Sequence, residues 1–165
     1  MLLDRFDLSG RVAVVTGAGR GIGRGIALGL AEAGADVVCA ARTQDDIEET
    51  AAAIRVRGCE ALAQRCDVMQ TADLEGLVEA TLDRFGRIDF LVNNAGGTGP
   101  RPALETSEAF FENALRFNVT APFLLSRLAI PRMVETAGGG APYQRCSQRG
   151  SASNVTRSLT GYATG

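Results

Sequence analysis

Short apolar runs rich in β-branched residues alternate along the chain with longer segments whose apolar residues recur every three or four positions. The short runs predict strands buried on both faces, and the longer segments predict amphipathic helices. The predicted strands are Val12–Thr16, Asp36–Ala41, Ala61–Val68 and Asp89–Asn93, and the predicted helices are Ile22–Ala33, Gln44–Arg57, Thr71–Phe85 and Ser107 to about Glu135. This order predicts a single α/β domain over residues 1–165, with a parallel, doubly wound sheet and helices on both faces.

Several residues mark the ends of the predicted helices. Gly34 follows the first helix, at the position where a left-handed residue commonly ends one. Thr43 and Ser107 are expected to cap the second and fourth helices, because their hydroxyl groups can accept a hydrogen bond from a free backbone N–H. The fourth helix contains Pro122 and Pro131, and we expect it to be bent or broken near them.

The composition excludes several kinds of chemistry. A net charge of −2 over 165 residues gives no broad attraction to nucleic acid or to an anionic membrane. The chain has no histidine, so it can form neither a Ser-His-Asp triad nor a histidine-ligated metal site. It also has no lysine, since all 17 basic residues are arginine. We therefore expect no metal site and no acid–base chemistry from a lysine of this chain.

Other features of the sequence favour a cytoplasmic protein. The charged N-terminal segment has no apolar core of the kind found in secretory signals, and no apolar run approaches the ~20 residues of a membrane span. The four cysteines include no CxxC pair, and we interpret them as reduced packing residues. They are Cys39, Cys59, Cys66 and Cys146.

A glycine-rich loop connects the first predicted strand to the first helix. Glycines there allow a tight turn, and they let a pyrophosphate approach backbone N–H groups at the positive end of the helix. The spacing is TGxxxGxG. A structural glycine turn would also explain the loop, but its position between a strand and a helix favours nucleotide binding. The residues expected to hold the cofactor are Thr16, Gly17, Gly19, Arg20, Gly21, Ile22 and Gly23.

The TGxxxGxG loop resembles the cofactor loop of the short-chain dehydrogenase/reductase family. Further signatures of that family follow in the expected order, from about Leu8 to the end of the chain. They are the adenine-contacting pair Asp67-Val68, the NNAG sequence Asn93-Asn94-Ala95-Gly96, the helix asparagine Asn118 and the tyrosine that begins YxxxK, Tyr162. The resemblance implies a Rossmann-like fold, a nicotinamide dinucleotide cofactor and hydride transfer to or from an alcohol or ketone.

The residues after the second strand indicate which dinucleotide is used. A carboxylate about 20 residues beyond the glycine loop would bind the ribose diol of NAD and repel a 2′-phosphate. Ala41 stands at that position here, and Arg42 follows it. Arg20, in the loop itself, supplies a second guanidinium that can bind a phosphate. We therefore expect NADP(H) to be favoured over NAD(H).

The resemblance also assigns catalytic roles. Tyr162 would transfer the proton, and Asn118 would support a water-linked proton relay. The family lysine that lowers the tyrosine pKa would come one position beyond the last residue of this chain. The family serine would fall at Arg149; Ser147 and Ser151 are the nearest candidates, and Ser147 is preferred because it follows the region where a fifth strand should end.

The fifth strand of the family is not evident in this sequence. Residues 142–148 read Pro-Tyr-Gln-Arg-Cys-Ser-Gln, which does not suit a central parallel strand buried on both faces. A local reading-frame slip or a genuine divergent loop would explain the departure. We expect a sheet that is incomplete at its C-terminal side, in a truncated chain that by itself is marginally stable, prone to aggregate or dependent on a partner.

Three interpretations of function remain open. The chain is a largely inactive fragment of an NADP(H)-dependent oxidoreductase, a dinucleotide-binding protein without catalysis, or a relic without a ligand. The long helix from Ser107 to about Glu135 resembles the family helix that pairs across a dimer interface. It therefore implies that the parent enzyme is a homodimer or homotetramer.

Overall fold

The computed structural model describes residues 7–137 and the backbone of residues 141–144. A 3₁₀ turn at Ala103–Glu105 precedes the fourth helix, and a π-helical turn at Arg116–Thr120 joins the fourth helix to the fifth. The remaining elements are β1 Val12–Thr16, α1 Gly21–Glu32, β2 Asp36–Ala41, α2 Gln44–Arg55, β3 Ala61–Arg65, α3 Thr71–Phe85, β4 Phe90–Asn93, α4 Glu108–Leu115, α5 Ala121–Ala137 and β5 Ala141–Gln144.

All strand pairs of the sheet are parallel, and their order is β3-β2-β1-β4-β5. The prediction of a Rossmann-like parallel sheet is therefore confirmed. The chain builds outwards from β1 towards β3 and then crosses to β4 on the other side of β1. In such sheets a crevice forms where the direction of winding reverses, at the carboxyl ends of the central strands. The fold thus places a crevice beyond Thr16 and Asn93, the last residues of β1 and β4.

Two hydrophobic clusters lie on opposite faces of the sheet, because neighbouring residues of a strand point to opposite sides. On one face, Val15, Val37 and Cys39 pack with residues of α1 and α2. On the other face, Val14 and Val38 pack with residues of α3 and α5. The buried helical residues are Ala27, Ala31, Ile47, Ala51 and Ile54 in the first cluster, and Leu74, Leu77, Val78, Ala121, Leu125, Ala129 and Met133 in the second.

The long predicted helix is interrupted, although neither proline ends it. Ser107 caps α4 as expected, and its hydroxyl accepts a hydrogen bond from the Phe110 N–H at 3.3 Å. The π-helical turn at residues 116–120 ends just before Pro122, and α5 continues through Pro131. Pro122 has no N–H to donate to the carbonyl four residues earlier, so the normal α-helical ladder cannot pass through that point unchanged. Thr43 precedes α2, but its side chain makes no capping hydrogen bond.

We expected residues 142–148 to be unsuited to a fifth strand. This expectation is wrong for residues 142–144, which belong to β5. β5 pairs in parallel with β4, and Phe90 and Asn93 lie opposite Ala141 and Gln144. Among the described residues, β5 has a neighbouring strand on one side only. A proline such as Pro142 is tolerated in an edge strand, where one side of the backbone has no ladder to complete.

Asp89 fixes the amino-terminal end of β4 through buried polar contacts. Its side chain is only 4% exposed and accepts hydrogen bonds from the Arg87 and Arg11 guanidinium groups and from the Val12 N–H. Burial by itself would raise the pKa of the Asp89 carboxyl. The hydrogen bonds from Arg87, Val12 and Arg11 outweigh this effect and hold the pKa below its usual value.

We expect Asp89→Asn to lower the free energy of unfolding by about 1–3 kcal/mol at neutral pH, because buried donors lose a charged acceptor. The lowered pKa means that the carboxylate stabilises the fold above the ordinary carboxyl pKa of about 3.9, and that this contribution is lost as the pH falls towards the folded value. Urea unfolding at pH 7 and pH 3 should therefore show a difference between the two proteins that shrinks in acid. Equal stability at pH 7 would contradict this role of Asp89.

Candidate functional site

A cleft of about 260 Å³ lies at the carboxyl ends of the strands, where the fold predicts a crevice. It is formed by the loop after β1, the ends of β2 and β3, and the loop after β4. Of the residues predicted to bind the cofactor, those lining the cleft are Gly17, Gly19, Arg20, Arg42, Asp67, Val68, Asn94, Ala95 and Gly96. Thr16 is buried at the end of β1, and the other predicted residues, Gly21, Ile22 and Gly23, form the first turn of α1.

The glycines of the loop after β1 are required by close packing. A Cβ on Gly23 would overlap the Gly17 carbonyl oxygen and the Asn94 side-chain amide. A Cβ on Gly17, where φ is +68°, would lie 2.8 Å from the same Asn94 amide. A Cβ on Gly19 would lie 2.6 Å from the Cβ of Asp46 in α2. The loop is therefore tightly folded against its neighbours, and its backbone is left open towards the cleft.

A buried hydrogen-bond network joins this loop to the end of β4. Thr16 is 1% exposed, and its hydroxyl donates to the Val92 carbonyl at 3.3 Å and accepts from the N–H groups of Asn94 and Ala95, both at 3.0 Å. The Asn94 side-chain amide donates to the carbonyls of Thr16 and Gly17. Asn94 and Ala95 thus hold the two loops in register, so that both face the same cleft.

The first turn of α1 is suited to an anion. Among the described residues no side chain caps this helix, and its first turn contains no acidic residue. Free N–H groups and the positive end of the helix dipole both attract negative charge. Gly21 and Ile22 are exposed here, and the Ile22 side chain is 54% exposed. A pyrophosphate would therefore satisfy donors that have no side-chain cap within residues 7–137.

The end of β2 contributes positive charge to the cleft through the adjoining Arg42. Arg42 is exposed beside Ala41, and Arg20 approaches from the loop after β1. Within residues 7–137 neither guanidinium forms an ion pair with a carboxylate. Asp46 also lines the cleft and brings one negative charge close to Gly19. The two arginines fit a phosphate group, and Ala41 offers no carboxylate to a ribose diol.

The loop after β3 forms another part of the cleft wall. The Asp67 carboxylate accepts a hydrogen bond from the Met69 N–H at 3.0 Å, and the Asp67 N–H donates to the Asp73 carboxylate at 2.8 Å. These bonds fix the orientation of the loop, while Asp67 remains half-buried and Val68 buried at the cleft. The Arg116 guanidinium donates to the Met69 carbonyl at 3.2 Å and so ties this loop to the π-helical turn.

Asn118 lies in the π-helical turn and holds the loop after β4. Its side-chain oxygen accepts from the Gly97 N–H at 2.9 Å, and its amide donates to the Gly97 carbonyl at 3.4 Å and the Ala114 carbonyl at 2.9 Å. These hydrogen bonds hold the Asn118 side chain against Gly97, the residue that follows the NNAG segment. The residue before Asn118, Phe117, lines the cleft. Tyr162 and Ser147 lie outside the described residues, so their catalytic roles stay predictions.

Sequence reasoning missed four residues that line the cleft. They are Thr43, Cys66, Asp46 and Phe117. Cys66 and Phe117 adjoin the singled-out residues Asp67 and Asn118, whereas Asp46 had no signal beyond its position near the start of α2. Burial raises the pKa of the Cys66 and Cys39 thiols to about 12, so both stay protonated and unreactive at neutral pH. This agrees with their interpretation as packing residues.

The described part of the chain contains neither a cluster of metal ligands nor a membrane-spanning helix. There, no three potential metal ligands cluster closely enough to hold an ion. No helix of that part is long and apolar enough to cross a membrane.

Comparisons with known proteins agree with the fold. The sequence model of the short chain dehydrogenase family matches residues 11–158. The chain is 38% identical over 160 residues to 7alpha-hydroxysteroid dehydrogenase of Escherichia coli strain K12. The matched region covers 97% of this chain and 61% of that protein. It is 38% identical over 136 residues to the ketoacyl reductase HetN of Nostoc, covering 80% of this chain and 46% of that protein. The chain thus spans about half of the curated relatives it matches.

Solved structures show the same similarity. A 7 alpha-hydroxysteroid dehydrogenase complexed with NADH and 7-oxo glycochenodeoxycholic acid superimposes with a TM-score of 0.82 at 39% identity, covering 86% of this chain and 55% of that one. A short-chain type dehydrogenase/reductase from Mycobacterium marinum gives a TM-score of 0.83 at 39% identity, covering 87% of this chain and 58% of that one.

Proposed function

This chain belongs to the short-chain dehydrogenase family, and we propose that it is the cofactor-binding part of an oxidoreductase that transfers hydride between NADP(H) and an alcohol or ketone. The observation that carries the proposal is the cleft beside α1. Its wall includes closely packed glycines of the loop after β1 and the guanidinium groups of Arg20 and Arg42, which have no ion-pair partners within residues 7–137. The family binds nicotinamide dinucleotides. The choice of NADP(H) rests on Arg20, Arg42 and the absence of a carboxylate at Ala41.

Each part of the cleft has a separate task in binding. The free N–H groups at the start of α1 bind the pyrophosphate, and Gly17, Gly19 and Gly23 let it come close. Arg20 and Arg42 bind the 2′-phosphate. Asp67 and Val68 contact the adenine, and the NNAG segment holds the loops that face the cofactor.

The chemistry needs one proton transfer beside the hydride transfer. The bound nicotinamide supplies or accepts the hydride. Tyr162 donates or removes the proton of the substrate oxygen, Ser147 orients that oxygen, and Asn118 supports a water-linked relay through its position beside Gly97. A tyrosine with its ordinary pKa of about 10 is a weak acid–base group near neutrality unless a positive charge lies close to it.

We expect the 165-residue chain by itself to show no appreciable turnover, because it contains no lysine to supply that charge. Arginine stays protonated and is a poor substitute in a proton relay. Two other functions remain: a dinucleotide-binding protein without catalysis, and a polypeptide without a ligand. Binding of NADPH would exclude the last of these.

A chimera tests the catalytic proposal. We would join residues 1–165 to the segment that follows the aligned region in the Escherichia coli 7alpha-hydroxysteroid dehydrogenase, and assay NADPH oxidation with a panel of ketones. We expect turnover by the chimera, and a loss of about 10²–10⁴-fold on Tyr162→Phe, since the general acid is removed. A folded chimera that binds NADPH but reduces no ketone would instead support binding without catalysis.

We also propose that the parent enzyme is a cytoplasmic homodimer or homotetramer. Exposed apolar side chains recur every four residues along α4, the π-helical turn and the start of α5, and so lie on one face. They are Phe111, Leu115, Val119 and Phe123. A second copy of the chain would cover this face. The free cysteines of the described residues, Cys39, Cys59 and Cys66, favour a reducing compartment.

Sedimentation velocity of the chimera tests this assembly. We expect a dimer or tetramer, and dissociation on Phe123→Glu, because a charge would enter the apolar face. A chimera that sediments as a monomer before any substitution would contradict the proposal.

A further inference from the structure

A second cleft, of about 230 Å³, adjoins the cofactor cleft. It lies between α4, the Gly97–Thr98 segment and the loop after β3. Its apolar wall comes from Met69, Phe110, Ala114 and Phe117. Pockets for drug-sized ligands have volumes of about 300–1,000 Å³, so this cleft suits a smaller ligand of one or two rings.

Three residues are common to both clefts: Arg42, Asp67 and Phe117. Arg42 is the residue to which the proposed function assigns the 2′-phosphate of the cofactor. A ligand in the second cleft that uses the Arg42 guanidinium would therefore compete with that phosphate for the same donors. It would compete less with NADH, which has no 2′-phosphate.

The charge around the second cleft favours an anion. Arg42 forms no ion pair within residues 7–137, and the Arg101 guanidinium carbon lies 4.4 Å from the centre of the Phe110 ring. Among the described residues, Asp67 is the one acidic residue in its wall, and the Asp67 carboxylate already accepts a hydrogen bond from the Met69 N–H. Arg42 is therefore a cation in the cleft wall itself, and Arg101 adds a second positive charge beside Phe110, against the single carboxylate of Asp67 among the lining residues.

We propose that the second cleft binds a small aromatic carboxylate, whose ring packs against Phe110 and Phe117 and whose carboxylate pairs with Arg42. Aromatic rings pack favourably against phenylalanine, and a guanidinium binds a carboxylate through two parallel hydrogen bonds. The ligand lowers the affinity for NADP(H) and so inhibits loading of the cofactor. The binding site stands on the cleft alone, whereas the competition rests on the proposed NADP(H) function.

The experiment uses 2-naphthoate as the probe. Calorimetric titration of the 165-residue chain measures naphthoate binding without cofactor, and nicotinamide fluorescence measures NADPH and NADH binding with and without naphthoate. We expect naphthoate to bind more tightly than neutral 2-naphthamide, to raise the Kd for NADPH in proportion to its concentration, and to change the Kd for NADH less.

Asn113 lines only the second cleft, so it provides a test variant. Asn113→Asp changes the shape little and adds a negative charge, and we expect it to weaken naphthoate binding about fivefold while naphthamide binding is unchanged. Ser107→Asp is the matched control, because it adds the same charge to the start of α4 and keeps a capping oxygen. It should leave naphthoate binding unaltered.

The two proposals can fail separately. Naphthoate binding that Asn113→Asp weakens, in a chain that binds neither dinucleotide, would uphold the second cleft and overturn the proposed function. NADPH binding without naphthoate binding, or naphthoate binding insensitive to Asn113→Asp, would overturn the second cleft. If naphthoate raised the Kd for NADPH and the Kd for NADH equally, the proposed pairing of its carboxylate with Arg42 would be overturned.

Discussion

Gly23→Val is expected to raise the Kd for NADPH by about 100-fold or more, equivalent to about 2.8 kcal/mol of binding free energy. Gly23 lies in the first turn of α1, which faces the proposed pyrophosphate site, and a side chain there would overlap the Gly17 carbonyl and the Asn94 amide. The loop would have to move away from β4, which would break the register that Thr16 and Asn94 maintain. Fluorescence titration with NADPH measures the loss.

Gly25→Ala is the matched control, two residues further along the same helix. A Cβ at Gly25 has no atom within 4 Å, so the change should leave the Kd for NADPH unaltered and stabilise α1 by about 0.8–1 kcal/mol. Circular dichroism of both variants separates loss of the site from loss of the fold. A folded Gly23→Val protein with unchanged affinity would show that the cofactor does not approach this turn.

Ala41→Asp is expected to reverse the choice of dinucleotide. Ala41 lines the cleft at the carboxyl end of β2, where a carboxylate would accept hydrogen bonds from a ribose diol and repel a 2′-phosphate. We expect the Kd for NADPH to rise by about 30–100-fold and the Kd for NADH to fall. Parallel titrations with the two dinucleotides measure both changes.

Ala41→Asn provides the uncharged control for this substitution. Asparagine has the same shape as aspartate and can also bind a diol, but it does not repel a phosphate. It should therefore affect NADPH binding much less than Ala41→Asp does. If the two variants weakened NADPH binding equally, the effect would come from crowding of the cleft, and the 2′-phosphate would lie elsewhere.

The bounds of the central strands could be predicted because the apolar pattern of the sequence matches the burial of these residues in the structure. β1 and β2 have the predicted bounds, since each is an apolar run buried between two layers of helices. β3 ends at Arg65 rather than Val68, because the strand has one neighbour in the described sheet and the chain turns early to bring Asp67 to the cleft. Ends of strands depend on tertiary contacts that a local pattern does not contain.

The least predictable features arise from contacts between distant segments. The π-helical turn could not be read from Arg116–Thr120, although the missing N–H of Pro122 indicated some break in the helix. β5 forms against β4 despite the proline and glutamine in its sequence, because among the described residues it pairs on one side only, and such an edge strand tolerates proline. The suggestion of a reading-frame slip after residue 141 therefore stays a hypothesis, to be tested by sequencing the coding DNA.

The sequence predicted those cleft residues that belong to a motif with a fixed spacing, and it missed the others. The glycine loop, Asp67-Val68 and the NNAG segment belong to such motifs, and the structure brings them to one cleft. Asp46 and Phe117 reach the same cleft from helices and belong to no motif, so only the fold reveals them. Tyr162 and Ser147 lie outside the described residues, and their roles depend on the family resemblance.

Equilibrium titration of the unaltered chain with NADPH and with NADH, followed by nicotinamide fluorescence, tests most directly whether the cleft is an NADP(H) site. We expect both to bind, with a Kd for NADPH about tenfold lower or more, because Arg20 and Arg42 form charge-assisted hydrogen bonds with the 2′-phosphate. Equal affinities, or tighter binding of NADH, would contradict the role of the two arginines. Binding of neither dinucleotide by the folded chain would contradict the cofactor site itself.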